Sequence, residues 1–237
     1  MNFLADPVYN SLLLVSFFTR GVKVMDKVCY FCAVIILLFS CGTSQGNKTT
    51  SQNLENKITM DDNVAILAGG CFWCVEGPFM LLDGVESVAS GYMGGHAENP
   101  TYKQVCTGTT GHAEAVKVVY DADKVSYEQL LEVFFTVHDP TQLNRQGNDI
   151  GTQYRSAIFP VNAEQRTKAE HFIAALEEAQ VFDKPVVTTI ENADVFYFAE
   201  DYHQDYFNKN PEDSYCLFVA KPKLDKVKKI FADRLKK

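Results

Sequence analysis

Val64-Ala65-Ile66-Leu67-Ala68-Gly69-Gly70-Cys71-Phe72-Trp73-Cys74-Val75-Glu76 passes from an unbroken apolar segment, through a pair of glycines, to a cysteine followed by two large aromatics. Five apolar residues in a row, with no polar alternation, read as a buried strand. The glycines punctuate it as a turn. Phe72, Val75, Phe79 and Leu82 then suit one helical face. Gly77-Pro78 interrupts that face, and proline is comfortable only in a first turn, so the helix proper is expected to begin near Pro78. A thiol between strand and helix faces unpaired backbone N–H groups and the positive end of a helix dipole, which favour the reactive thiolate. With two aromatics next to it, Cys71 reads as a nucleophile in an apolar, partly dry pocket.

The rest of the chain mixes strands and helices. Val85 to Ser90 and Ala113 to Tyr120 read as strands, the second with Val116, Val118 and Tyr120 alternating against Lys117 and Val119. Ser126 and Gln129 form a capping box for a helix from Tyr127 to His138. Ser156 to Phe159 is a short strand, Asn162 caps a helix to about Gln180, and Pro185 to Ile190 is a further strand. Ala199 to Asn208 is expected to be helical, stopping before Pro211. A last amphipathic helix carries Leu224, Val227, Ile230, Phe231 and Leu235. This mixture predicts an α+β domain. His138 to Ser156, rich in Asn, Gln, Gly and Thr, lacks periodicity, and a loop of that length in a compact domain is usually functional.

The N-terminal region is of a different kind. Met25-Asp26-Lys27 precedes the apolar run Val28 to Phe39, too short to span a bilayer but suited to the core of an export signal. It ends in Leu38-Phe39-Ser40-Cys41-Gly42, which resembles a bacterial lipoprotein cleavage site with Cys41 as the lipidated residue. Residues 1–24 fit no signal pattern, so Met25 is the expected start. Residues 42–63 are polar and read as a flexible linker, leaving 64–237 as one folded domain. Without residues 1–41, nineteen Lys and Arg face twenty-eight Asp and Glu, a net charge of −9, which argues against nucleic acid as a partner. Cys71, Cys74, Cys106 and Cys216 remain in that domain. A domain of this size needs no disulfide staples, so redox chemistry is the better reading of its thiols.

The motif Gly70-Cys71-Phe72-Trp73-Cys74-Val75-Glu76 resembles the signature of the peptide methionine sulfoxide reductases that act on the S-epimer of the sulfoxide. The resemblance continues through Gly91-Tyr92, Asn99-Pro100-Thr101-Tyr102, Thr110-Gly111-His112-Ala113-Glu114, Asp139-Pro140-Thr141, Gln146-Gly147-Asn148-Asp149, Gly151-Thr152-Gln153-Tyr154-Arg155-Ser156, Ala199-Glu200-Asp201-Tyr202-His203-Gln204-Asp205-Tyr206 and Lys209-Asn210-Pro211. It implies a ferredoxin-like α/β plait with long active-site loops. It also implies Cys71 as nucleophile, Glu114 as catalytic acid, and Tyr102 and Tyr154 as hydrogen-bond donors to the sulfoxide oxygen. Asp149 would organise the pocket, and Phe72 and Trp73 would seat the methyl group.

A Cys71 sulfenic acid needs a resolving thiol. Cys216 matches a family resolving cysteine, while Cys74 stands where many members carry glycine and is only three residues from Cys71; both stay open. Cys106 reads as a buried spectator, and His112 and His203 as structural. No cofactor is implied, and no cluster has metal-ligand spacing. The expected partners are methionine-S-sulfoxide, free or in proteins, a thioredoxin-like reductant, and a membrane reached through the lipid anchor, with the protein a monomer in the bacterial cell envelope. The rival enzyme is a thioredoxin-like thiol–disulfide oxidoreductase using Cys71-x-x-Cys74, a class that typically lacks the Gly-His-Ala-Glu and Gly-Thr-Gln-Tyr-Arg-Ser blocks. The rival without catalysis is a surface lipoprotein binding methionine-rich peptides, which has no need of Cys71 with Glu114.

Overall fold

The structure, a computed structural model, describes residues 63–237; the signal segment, Cys41 and the linker up to residue 62 lie outside them. Strand β1 (Val64–Gly69) leads to helix α1 (Phe72–Met80), strand β2 (Val85–Met93), the short helix α2 (Tyr102–Val105), strand β3 (Ala113–Tyr120) and helix α3 (Tyr127–Val137). A hairpin of β4 (Arg145–Gln146) and β5 (Asp149–Ile150) precedes β6 (Ser156–Ile158) and α4 (Ala163–Glu178). Then come β7 (Thr189–Ile190), β8 (Tyr197–Phe198), α5 (Tyr206–Lys209) and α6 (Lys221–Ile230).

Six strands form one sheet in the order β7-β6-β1-β3-β2-β8, antiparallel except for the β6–β7 pair. Its centre, β6-β1-β3-β2, with α1 joining β1 to β2 and α3 lying between β3 and β6, is the split βαβ pattern of a ferredoxin-like α/β plait. β1 explains its own composition. Ala65 and Leu67 pack with α1, α3, α4 and α6, whereas Val64, Ile66 and Ala68 join Met93, Ala115, Phe159 and Phe196 on the other face. A strand covered on both sides has no solvent face to mark with polar residues.

The capping box appears as read: Gln129 N–H donates to Ser126 Oγ at 3.2 Å, and Ser126 N–H donates to Gln129 Oε1 at 2.8 Å. Asn162 likewise caps α4, accepting from Gln165 N–H at 2.8 Å. α1 departs from the expectation. It begins at Phe72 and runs through Pro78 rather than starting there. One lost backbone hydrogen bond is outweighed by burial of Phe72, Cys74, Val75 and Phe79. Gly77 matters to the same packing, since a Cβ there would lie 3.2 Å from Leu224 Cδ1 of α6.

Two further segments differ. Only Thr189–Ile190 of the predicted 185–190 strand pairs with β6, and Val187 N–H instead donates to Pro140 O at 2.8 Å. The helix predicted over 199–208 is broken into a 3₁₀ turn (Asp201–His203) and α5 by Asp205 at φ 54°. Tertiary partners cause the break: Gln204 exchanges two hydrogen bonds with the Ser90 backbone at 2.9 Å, and Asp205 N–H donates to Glu76 Oε1 at 3.0 Å. These bonds fasten the 201–210 segment to β2 and α1.

Candidate active site

Cys71 is the N-cap residue of α1, at φ −57° and ψ 126°, and is nearly buried. The glycine pair makes this position possible. Gly70 holds φ 94°, where an L side chain is strained, and a Cβ there would sit 2.6 Å from Gln146 Cβ of the β4–β5 hairpin. The hairpin is thereby pressed onto the turn. It is held by Gln146 itself, whose amide exchanges hydrogen bonds with the Asp139 backbone at 3.0 and 3.1 Å. The order of the 138–156 loop therefore comes from side-chain-to-backbone bonds, which leave no periodic trace in a sequence.

Glu114 lies on β3, in register with Tyr92 of β2. Its Oε2 accepts the Phe72 N–H, the first free donor of α1, at 3.1 Å. The carboxyl group is almost wholly buried, and burial pushes its pKa up to about 8, against that hydrogen bond. At neutral pH it is a carboxylic acid beside Cys71. The expectation that the helix dipole favours a Cys71 thiolate is corrected here. Burial, the hydrogen bond to Cys74 and the nearby Glu114 raise the Cys71 thiol well above its ordinary range, and the first backbone donor is taken by Glu114. Cys74 is the lowered partner, drawn to about 7 chiefly by the hydrogen bond Cys71 donates to it.

Tyr102 opens α2, whose N-terminus is fixed by the Thr101–Gln104 capping box and by a Tyr102 N–H bond to Glu200 Oε1 at 2.9 Å. The other Glu200 oxygen accepts from Tyr92 Oη at 2.9 Å, tying α2 to β2. Tyr154 ends a 3₁₀ turn (Thr152–Tyr154). Arg155 staples that turn: it pairs with Glu191 at 2.8 and 2.9 Å and donates to Thr152 O and Gly111 O, each at 3.1 Å. Gly111 lies just before β3, so the Tyr154 turn and the strand carrying Glu114 are tied together. Both tyrosines are about half-buried, and burial followed by nearby acidic groups, Glu114 among them, raises their ionisation far above the ordinary range. They remain O–H donors.

Phe72 packs against Trp73 and Tyr102 with ring centroids 6.1 and 6.4 Å apart, and Trp73 stacks on Tyr206 at 3.7 Å. His203 fills the space between Phe72 and Tyr102, 5.1 and 4.3 Å from their ring centroids. Both of its ring nitrogens are buried without a hydrogen-bond partner among the described residues, so its structural part here is packing. His112 does make its bonds, to Ala97 O at 2.8 Å and from Gly95 N–H at 3.1 Å, holding the turn before β3. Asp149 on β5 accepts from Tyr215 Oη at 2.6 Å.

A sequence model described as peptide methionine sulfoxide reductase matches residues 63–235. The chain belongs to the peptide methionine sulfoxide reductase family. Peptide methionine sulfoxide reductase MsrA of Natronomonas pharaonis is 58% identical over 171 residues, spanning 72% of this chain and 96% of that protein. The protein of the same name from Deinococcus radiodurans is 49% identical over 194 residues, 82% of this chain and 93% of that one. Among solved structures, methionine sulfoxide reductase A of Corynebacterium diphtheriae aligns at TM-score 0.56 and 38% identity, covering 64% of this chain and 76% of the other. Mxr1 from Saccharomyces cerevisiae in reduced form gives 0.58 and 36%, covering 65% and 88%.

In this peptide methionine sulfoxide reductase, one region gathers Cys71, Phe72, Trp73, Cys74, Tyr102, Glu114, Asp149 and Tyr154. Cys216 is fully buried in a π-helical turn (Cys216–Ala220) that packs on α1, and burial, then the nearby Asp213 and Cys74, raise its thiol. Cys106 is not the buried spectator expected. It is exposed, at the end of α2, and its thiol hydrogen-bonds the Tyr102 hydroxyl. The reading from sequence missed Tyr215 and Glu200. Tyr215 Oη lies 3.7 Å from Cys74 Sγ and donates to Asp149, joining Cys74 to the pocket wall. Its position immediately before Cys216 was the available signal. Glu200 stood inside the 199–206 block quoted for the resemblance, but its contacts depend on two segments brought together by the sheet. Among the described residues no group of His, Cys, Asp and Glu is arranged to hold a metal ion.

Proposed function

We propose that the protein reduces the S-epimer of methionine sulfoxide, free or within proteins, using Cys71 as nucleophile and Glu114 as proton donor. Cys71 sulfur attacks the sulfoxide sulfur while the Glu114 proton passes to the sulfoxide oxygen, and the Cys71 thiol proton goes to the Glu114 carboxylate so formed. The substrate's S–O bond breaks, the oxygen ends on Cys71 as a sulfenic acid, and methionine leaves reduced by two electrons. Tyr102 and Tyr154 donate hydrogen bonds to the oxygen as its charge develops. Phe72 and Trp73 seat the methyl group, since a thioether methyl packs well on aromatic faces. Asp149, through Tyr215, keeps the pocket wall in place. Water is lost when a second thiol closes a disulfide, which a thioredoxin-like dithiol protein reduces.

The neutral Glu114 carboxyl, held at the N–H of the residue after Cys71, carries this reading. A protein that only binds has no use for a buried acid poised there. Incubating the enzyme with racemic methionine sulfoxide and dithiothreitol, with chiral separation of the remainder, tests it. Consumption of half the racemate, leaving the R-epimer, supports the proposal; equal loss of both epimers contradicts it.

The same proposal places the enzyme in the bacterial envelope as a monomer anchored through a lipid on Cys41, supported by the apolar run Val28 to Phe39 and Ser40-Cys41-Gly42. Labelling with a palmitate analogue should mark the wild-type chain and leave Cys41→Ser unmarked. Equal labelling of both would refute the anchor.

A further inference from the structure

Trp73 and Glu76 stand three residues apart on α1, a spacing that puts them on one side of the helix. Both reach α5. The Tyr206 ring stacks on Trp73 with centroids 3.7 Å apart and planes 9° apart. Glu76, only 2% exposed, accepts the Asp205 N–H on Oε1 at 3.0 Å. Burial raises its carboxyl to about 7, against the backbone N–H groups of Asp205 and Tyr206, which favour the charged form. Asp205 gives α5 no side-chain cap; its Oδ1 instead accepts from Asn208 at 2.7 Å. It holds φ 54°, and the bond from its N–H to Glu76 fixes the chain at that turn. Gln204 is fastened separately, to Ser90 of β2 and to Ala199 O. Glu76 thus ties the residue before Tyr206 to the helix that carries Trp73.

We infer that Glu76 is a positioning residue for the sulfoxide pocket: by gripping the start of α5 it holds the Tyr206 ring flat on Trp73, and so fixes the indole face that seats the substrate's methyl group. The inference rests on the reductase reading above and adds to it a residue that acts only through Tyr206 and Trp73. The indole needs such a backing. Trp73 is only partly buried, and its Nε1 has no hydrogen-bond partner among the described residues, so no polar contact orients the ring. Its plane is set by neighbouring rings: Tyr206 on one face, with Phe72, His203 and Tyr215 at 6.1, 5.5 and 5.8 Å. Of these four only Tyr206 lies parallel to the indole, and it is the ring whose backbone Glu76 holds. Loosening that grip lets the indole tilt. The methyl contact then weakens in the bound substrate and in the transition state alike, which raises KM more than it lowers kcat.

Trp73 is the sole tryptophan of the chain, so its emission reads the stack directly in the full-length protein. Glu76→Ala should shift that emission to longer wavelength and make it more accessible to quenching by acrylamide. Its KM for methionine-S-sulfoxide should rise by about fourfold, the worth of one buried methyl, with kcat changed less. Glu76→Gln keeps an oxygen for the Asp205 N–H and should return both readings toward wild type. Tyr206→Leu removes the ring and leaves Glu76 in place; it should reproduce the raised KM, and it carries the test if Glu76→Ala does not fold. An unchanged emission or an unchanged KM in Glu76→Ala, or a normal KM in Tyr206→Leu, would overturn the inference. Wild type that reduced no sulfoxide would defeat the reductase reading, whereas the emission of Glu76→Ala would still decide whether Glu76 holds the stack.

Discussion

Replacing Glu114 by Gln should inactivate the enzyme and stabilise the fold at neutral pH. Unfolded, a Glu ionises near 4.5; in the folded protein burial holds Glu114 to about 8. A carboxyl whose folded pKa is raised contributes no penalty below the unfolded value. As pH rises through 4.5 the unfolded chain releases its proton and the folded one does not, so stability falls until about pH 8 and then levels. From 4.5 to pH 7 is about two and a half units at roughly 1.4 kcal/mol each, a penalty of about 3 kcal/mol at pH 7. Gln keeps an oxygen for the Phe72 N–H but carries a buried amide donor worth about 1 kcal/mol of lost stability. Glu114→Gln should thus be about 1 kcal/mol less stable than wild type near pH 4 and about 2 kcal/mol more stable at pH 7. Urea unfolding of both proteins across that range reads the difference directly. Parallel stability curves would refute the claim that Glu114 is neutral in the folded enzyme. Sulfoxide reduction by the variant should fall by about 10²–10⁴-fold, and wild-type activity should decline as pH rises through about 8.

Other residues give sharper or simpler tests. Tyr215→Phe removes the hydroxyl between Cys74 and Asp149, so the Cys74 thiol should titrate higher and its alkylation by iodoacetamide at pH 7 should slow several-fold; an unchanged rate would detach Tyr215 from the thiols. Gly70→Ala forces a side chain into φ 94° and onto Gln146 Cβ, and should lower stability by about 2–3 kcal/mol in thermal unfolding, with loss of activity. Arg155→Ala frees the Tyr154 turn and leaves Glu191 without its bidentate partner; a loss of about 2–3 kcal/mol is expected in urea at pH 7. At low pH that loss shrinks. Burial raises the Glu191 pKa, but Arg155 outweighs it and depresses it, so the pair's contribution is present above the ordinary carboxylate range and disappears as pH falls.

Much of the fold was legible because its signals are local. The buried β1, the alternation of β3 and the caps at Ser126 and Asn162 each depend on a few neighbouring residues. The errors fall where distant partners decide. α1 tolerates Pro78 because of the core beneath it, and the 199–208 helix breaks because Gln204 and Asp205 are bonded to β2 and α1. The same division holds at the site. Cys71 announces itself by the glycine pair and the aromatics, whereas the acid state of Glu114 depends on burial that its own strand does not reveal. The raised Cys71 thiol is a further case: the dipole is local and visible, while the opposing burial and the Cys74 and Glu114 contacts are products of folding. Tyr215 and Glu200 meet the site only once the chain has folded, Tyr215 at Cys74 and Asp149 and Glu200 at Tyr92 and Tyr102.

The most direct test compares wild type and Cys71→Ser, with dithiothreitol as reductant, on a methionine sulfoxide peptide and on a small disulfide substrate. The account predicts that wild type converts the sulfoxide peptide to methionine and that Cys71→Ser converts none. Wild type that reduced the disulfide but left the sulfoxide untouched, or Cys71→Ser that retained sulfoxide reduction, would contradict it.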